Sequence, residues 1–188
     1  MQVTIEKPEI ITLLYLQEKT DEDYGSCIWA RFYLDTKNYT MTIESDCGNY
    51  THGWYPTPRT ESFLHLLCRL GTDYLLGKIS NRSVIDGAST YDSIKEIITE
   101  LANDNDAELD DCVWDDLQGA CYHQTDIHDV IDGVSAALER TELWGEFDTY
   151  PLWECVSFDY PAGAKKIVDV FQNCIKPKLR EIIKGEED

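Results

Sequence analysis

Glu108, Asp110, Asp111, Asp115, Asp116, Asp129 and Asp132 fall within 25 consecutive residues. Carboxylates at that density can hold a hard cation or meet a positively charged surface. Asp104-Asn105-Asp106-Ala107-Glu108 opens like a calcium loop. An EF-hand loop then needs Gly at its sixth position and Glu at its twelfth. Leu109 and Asp115 stand there, so the calcium pattern fails. Contact with a basic surface is the chemistry that remains.

Cysteine and histidine are the other reactive types. The seven cysteines, Cys27, Cys47, Cys68, Cys112, Cys121, Cys155 and Cys174, are scattered and include no Cys-x-x-Cys pair. Five of them (27, 68, 112, 155, 174) lie in apolar periodic segments. That pattern suits buried thiols in a reducing compartment better than a disulfide framework. Cys112, Cys121, His123 and His128 offer four soft ligands, but their spacing fits no zinc pattern, and Cys112 reads as helix core. A Cys47–His52 couple is conceivable, yet no spacing selects it. The sequence contains no phosphate-binding glycine loop and no nucleophile elbow. The expectation is a protein that is not an enzyme, with no metal and no cofactor.

The charge is uneven. Between Asp104 and Asp159 there are 16 acidic residues and one base, Arg140, within a chain of net charge −20. Such a chain repels nucleic acid and anionic membranes and associates quickly with basic surfaces in a salt-sensitive way. Yet 43% of its 188 residues are hydrophobic and 11% aromatic, enough for a packed core rather than a disordered polymer. Met1–Lys7 does not read as a signal peptide, and the apolar run Ile10–Leu16 is too short to span a membrane. A soluble protein of the cytoplasm is expected.

These residues need elements to position them. Residues 26–34, 39–45 and 50–55 carry β-type composition or alternation around turns at 35–38 and 47–49, predicting a three-stranded antiparallel meander. Residues 9–16 suit either a further strand or a short helix. Pro56 and Pro58 should end the sheet. Helical spacing begins at Phe63, Leu66, Leu67, Leu70 and Tyr74, with Gly71 closing or kinking the helix. It returns at Ile94–Leu101 (cap Ser89 or Thr90), at Leu109–Ala120, and at Ile127–Leu138 (cap Thr125). Residues 153–160 read as a late strand. A final helix from about Ala164 to Lys184 should bury Ile167, Phe171, Cys174, Ile175 and Ile182, with Pro177 kinking or restarting it. The fold class is α+β, an N-terminal antiparallel meander packed against several helices. One domain is expected, with a subdivision near residue 103 where the charge shifts.

On the helix around 108–120, Glu108, Asp111 and Asp115 share one side. Like charges at i, i+4 cost a helix about 0.2–0.5 kcal/mol per pair. Asp129, Asp132 and Glu139 face away from the apolar stripe of the next helix, with no base at i±4. A solvated helix usually mixes signs. One reading is imitation of a nucleic-acid backbone, which carries one charge per roughly 1.7 Å of duplex axis. The competing reading is a solvated acidic face kept for solubility. Two other features stand apart. Tyr50, Trp54 and Tyr55 suggest an aromatic contact patch. Lys165, Lys166, Lys176, Lys178, Arg180 and Lys184 make the last helix a basic pole, able to neutralise acidic helices in the fold or across a dimer. The closing Gly185–Asp188 reads as a frayed tail.

Phe32-Tyr33-Leu34-Asp35, Ile43-Glu44-Ser45-Asp46-Cys47-Gly48-Asn49-Tyr50, Glu61-Ser62-Phe63-Leu64 and Tyr74-Leu75-Leu76-Gly77-Lys78-Ile79 resemble a protein family of phages and prophages of Gram-positive gut bacteria, over about residues 28–100. The resemblance implies a mobile-element origin. Small acidic proteins of such elements include anti-restriction and anti-CRISPR inhibitors that mimic DNA. The combined expectation is an acidic inhibitor of a host defence nuclease, first an RNA-guided nuclease of the Cas9 type, acting in the bacterial cytoplasm through the seven carboxylates named above. It would bind neither nucleic acid nor membrane directly. The alternative is a phage regulatory or structural module that binds a protein partner and whose acidity is incidental.

Overall fold

The computed structural model describes residues 9–55, 61–147 and 151–187. The chain is α+β and forms two compact units, Met1–Asn81 with Tyr160–Asp188, and Arg82–Asp159. They are called unit 1 and unit 2 below. Residue 103, where the charge shifts, lies in the last turn of a helix within unit 2 rather than at its edge.

Unit 1 is built on a four-stranded antiparallel meander, β1 (Ile10–Leu16), β2 (Trp29–Asp35), β3 (Thr40–Ser45) and β4 (Tyr50–Gly53), in that order. The segment open to two readings is thus a strand, and it adds a fourth member to the expected three. Ile11, Leu13 and Tyr15 pack against the core formed by Ala30, Phe32, Leu34, Met41 and Ile43, while Ile10, Leu14 and Leu16 stay more than half exposed. The register pairs Phe32 with Ile43 and Leu34 with Met41, putting all four on the buried face. A slip of one residue would turn them to solvent. Pro56 and Pro58 lie outside the described residues.

The helices of unit 1 bury the apolar sheet face. The expected helix at 63–74 is two, α1 (Phe63–Arg69) and α2 (Thr72–Ile79), because Leu70 turns extended and Gly71 becomes the N-cap of α2. The break resets the helical phase. Leu75 and Leu76 are buried, while Tyr74, expected in the stripe, is exposed.

The last helix is continuous from α7 (Ala162–Val170) through a π-helical turn (Phe171–Ile175) to α8 (Lys176–Glu187). The Lys176 amide bonds back five residues to the Phe171 carbonyl. The widened turn sits just ahead of Pro177, whose ring would clash with a carbonyl in a regular helix. It also adds one residue to the turn. Leu179 and Ile183 are buried, the expected Ile182 is partly buried against the same core, and Cys174 is exposed. The helix runs on to Glu187, so the expected frayed tail is helical up to its last residue, Asp188, which lies outside the described residues.

Unit 2 holds α3 (Gly87–Asp104), α4 (Asp111–Cys121), α5 (Ile127–Leu138) and the one-turn α6 (Trp144–Phe147). A two-stranded ladder pairs β5 (Val84–Ile85) with β6 (Phe158–Asp159). The expected strand at 153–160 shrinks to those two residues, preceded by a 3-10 turn at Leu152–Glu154. The caps also differ from expectation. Asp86, not Ser89 or Thr90, caps α3, and its carboxylate accepts from the Ser89 amide at 3.1 Å. Thr90 is buried and accepts from the Ser157 amide at 3.0 Å. Asp126, not Thr125, caps α5 through the His128 amide at 2.8 Å. A carboxylate at an N-cap gains from both the hydrogen bond and the helix dipole.

Candidate functional site

The acidic residues divide unequally between the units. Unit 2 carries 20 acidic and three basic residues, a formal −17, and unit 1 carries 16 and 13, a formal −3. The arrangement in unit 2 begins with its core. Ile94, Ile98, Val113, Leu117, Cys121, Val130, Val134 and Leu138 are buried together, drawn from α3, α4 and α5. Burying one stripe of each helix forces the opposite stripe outward. On α4 that stripe holds Asp111 and Asp115, on α5 Asp129 and Asp132, and all four are exposed. Helices α4 and α5 approach closely because residue 133 is glycine. A Cβ there would come within 2.8 Å of the Ala120 Cβ.

The connection from α3 to α4 places the remaining carboxylates. Asp106 adopts a left-handed conformation (φ 49°), and the Ala107 amide bonds back to the Ala102 carbonyl at 2.9 Å. That pattern closes the helix in the manner of a Schellman motif. Glu108 and Asp110 come next, both exposed, with Asp110 as the α4 N-cap. Asp116 is also exposed, but Arg140 meets it at 2.6 Å. Arg140, the single base between residues 104 and 159, is thus spent on one of the carboxylates there. Arg140 borders a small cavity of about 190 Å³, lined also by Glu108, Asp110 and Glu142. No base occupies the last turn of α3, α4 or α5.

All seven predicted contact residues are therefore solvent-facing and belong to one unit. Sequence reading did not find further acids of the same unit, Asp92, Glu96 and Glu100 on α3, which are also exposed. Their alternation with the buried Ile94 and Ile98 was the available signal.

The other candidate groups come apart. Cys112 is exposed on α4 and Cys121 is buried, so the reading of Cys112 as helix core fails. Burial raises the Cys121 thiol to about 11. The His52 ring packs edge-on against Trp54 with centroids 4.6 Å apart, and burial lowers its pKa. His52 is not among the hydrogen-bond partners described for Cys47, whose thiol donates to the Ser26 carbonyl at 3.0 Å. The expected aromatic patch is dispersed as well. Trp54 is buried against Phe63, Tyr50 donates its hydroxyl to the Cys47 carbonyl at 2.9 Å, and only Tyr55 is fully exposed.

The bases of the last helix have partners inside unit 1. Lys166 pairs with Asp23, and the hydrogen bond between them raises the one pKa and lowers the other. Lys176 donates to the Leu70 carbonyl at the end of α1 at 2.8 Å, and Lys178 meets Glu181 at 2.9 Å.

The chain matches the phage family Phage_phiTE_072 over residues 3–181. The protein belongs to that family. The match extends far beyond residues 28–100 and takes in the whole acidic unit of this phage protein. No curated protein and no solved structure matches the chain. No helix among the described residues is long and apolar enough to cross a membrane.

Proposed function

We propose that this phage-family protein is an inhibitor that offers unit 2 as a substitute for nucleic acid to a basic, nucleic-acid-binding protein of the bacterial host. Its first candidate target is an RNA-guided defence nuclease of the Cas9 type, met in the cytoplasm of the infected cell. The observation that carries the reading is the segregation of charge, −17 in 78 residues against −3 in the other 110. Asp111 and Asp115, one turn apart, have Cβ atoms about 5–6 Å from each other, so a row of such carboxylates can occupy Lys and Arg side chains that otherwise grip phosphates. Cas9-type nucleases hold nucleic acid in positively charged channels and read a short flanking duplex with Arg side chains. A folded surface of fixed carboxylates can occupy such side chains without being cut. The role asks for binding and for no catalysis, cofactor or metal.

The test uses guide-loaded Cas9 and a labelled target duplex. Adding the protein is expected to lower DNA binding, with the effect fading as salt rises. Asp111→Lys with Asp115→Lys is expected to weaken inhibition at least about tenfold while the far-ultraviolet circular dichroism is unchanged, since one lost charge-assisted contact is worth about 1.5–3 kcal/mol. Full inhibition by the folded double variant would sink the assignment of these residues. No effect on Cas9 would remove it as target.

A second reading rests on a different surface. The outer face of the sheet in unit 1 exposes Ile10, Leu14, Leu16 and Trp29 side by side, because β1 pairs with β2 with Leu16 opposite Trp29. That face suits a protein-binding module in which the acidity is incidental. Pull-down from a nuclease-treated host lysate with salt-gradient elution separates the two. A basic nuclease released at moderate salt favours the inhibitor, and a partner held through high salt favours the module.

A further inference from the structure

Cys27 and Cys47 are 20 residues apart in sequence, but the β2–β3 hairpin brings them together. The ladder pairs Ala30 with Ser45, so the residues just before β2 meet those just after β3. At that end the two Sγ atoms and a carboxylate oxygen of Asp46 all lie within 4.8 Å of one another. Among the described residues this is the single group of three or more metal-ligating side chains with such proximity.

The group is held from several sides. Both Asp46 carboxylate oxygens accept backbone amides, from Ile28 at 2.8 Å and Trp29 at 3.3 Å. The Cys47 amide donates to Ser45 Oγ at 3.1 Å, and its carbonyl accepts from the Tyr50 hydroxyl. Residue 163 is glycine under that same carbonyl, and a Cβ there would lie 2.2 Å from the Cys47 oxygen. Cys27 is fully buried at the rim of the core, whereas Cys47 and Asp46 reach solvent. The site therefore has an anchored inner ligand and an open outer side.

We propose that Cys27, Cys47 and Asp46 form a binding site for a thiophilic divalent cation, zinc above all. Two sulfurs and one carboxylate supply three of four tetrahedral ligands, leaving one position for water. Sulfur ligands select zinc over magnesium or calcium. The backbone amides that orient Asp46 do for this carboxylate what outer partners do for metal ligands generally. Two thiols this close also raise the question of a disulfide. The Asp46 carboxylate beside both sulfurs adds a third ligand and a charge that attracts a cation, neither of which a disulfide would use. Each thiol releases its proton to solvent as the metal–sulfur bond forms. The bound ion would clamp the open end of the β2–β3 hairpin.

The experiment is a Co²⁺ titration of the full chain, reduced and stripped with chelator. The expected result is one equivalent bound with thiolate-to-cobalt charge transfer and the strong visible bands of tetrahedral cobalt, displaced by Zn²⁺. Cys27→Ser and Cys47→Ser are each expected to abolish the charge-transfer bands. Asp46→Asn should weaken binding roughly tenfold or more, and Cys112→Ser should change nothing. Zn²⁺ should also raise the melting temperature of the parent protein and not of the Cys47→Ser protein. Should Cys27→Ser fail to fold, the partly exposed Cys47 and Asp46 variants carry the test. Absence of the charge-transfer bands in the parent, their persistence in Cys47→Ser, or a mass showing that the reduced pair reoxidises to a disulfide without taking up metal would overturn the site.

Discussion

Unit 1 and unit 2 solve the same problem with opposite surfaces. Both bury an apolar core of aliphatic and aromatic side chains. Around the first, acids and bases alternate and pair, as in Lys166 with Asp23 and Arg69 with Glu61 at 2.6 Å. Around the second, exposed carboxylates stand with few bases near them. A general need for solubility would act on both surfaces, since both face the same water. Under the function proposed above, a charge concentrated in one unit marks a surface with its own task. It also shows that the repulsion is tolerated through the core: α4 and α5 keep their like charges because their opposite stripes are buried.

The comparison can be broken first at the two cores. Phe32→Ala in unit 1 is expected to cost about 3–5 kcal/mol and Leu117→Ala in unit 2 about 2–5 kcal/mol, both side chains being fully buried. Hydrogen exchange should show the first loosening the amides of β2 and β3, and the second those of α4 and α5. Identical exchange patterns for the two variants would deny that the cores are separate.

A smaller effect sharpens the electrostatics of unit 2. Asp86→Ala removes the α3 cap and should cost about 1 kcal/mol at neutral pH. Hydrogen bonds from Ser89 hold the Asp86 carboxyl below its ordinary value of 3.8. A carboxyl depressed in the folded state stabilises above its unfolded pKa and loses that contribution as pH falls through the folded one. The gap between parent and variant in urea unfolding should thus be full at about pH 5 and above, and should close as pH drops below 3.8. A gap that widens in acid would reverse the assignment.

The smallest effect on stability belongs to Arg140→Ala. Its pair with Asp116 is largely exposed, with side-chain exposures of 72% and 50%. Such pairs are worth about 0–1 kcal/mol. Freed Asp116 makes unit 2 more negative, so the variant should bind a basic partner more tightly at low salt, read by titration calorimetry. Weaker binding would place Arg140 itself in the contact.

Much of this was readable from the chain. Alternation in Tyr39–Glu44 and the 3.6-residue stripes of α3, α4 and α5 point to those elements, and the outward placement of Asp111, Asp115, Asp129 and Asp132 comes from the same stripes. Ile10–Leu16 was ambiguous because its run of apolar residues has no clear period, and the strand exposes half of them. Residues 153–160 looked like a strand on composition, but β6 can only be as long as its partner β5. A phase error accounts for Tyr74, since the break at Leu70 leaves no mark in hydropathy. The Cys27–Cys47 encounter needs the hairpin register, which pairwise spacing along the chain does not contain.

The π turn also constrains how this chain can change length. Removing one residue from Phe171–Ile175 would turn the five-residue bond into an ordinary helical one, and because the wide turn holds one residue more than an α turn, α8 would keep about the same orientation relative to α7. Leu179 and Ile183 would keep their places in the core. A chain one residue shorter here can therefore keep its downstream apolar positions in register across the gap, whereas a one-residue loss elsewhere in the helix would shift the whole stripe.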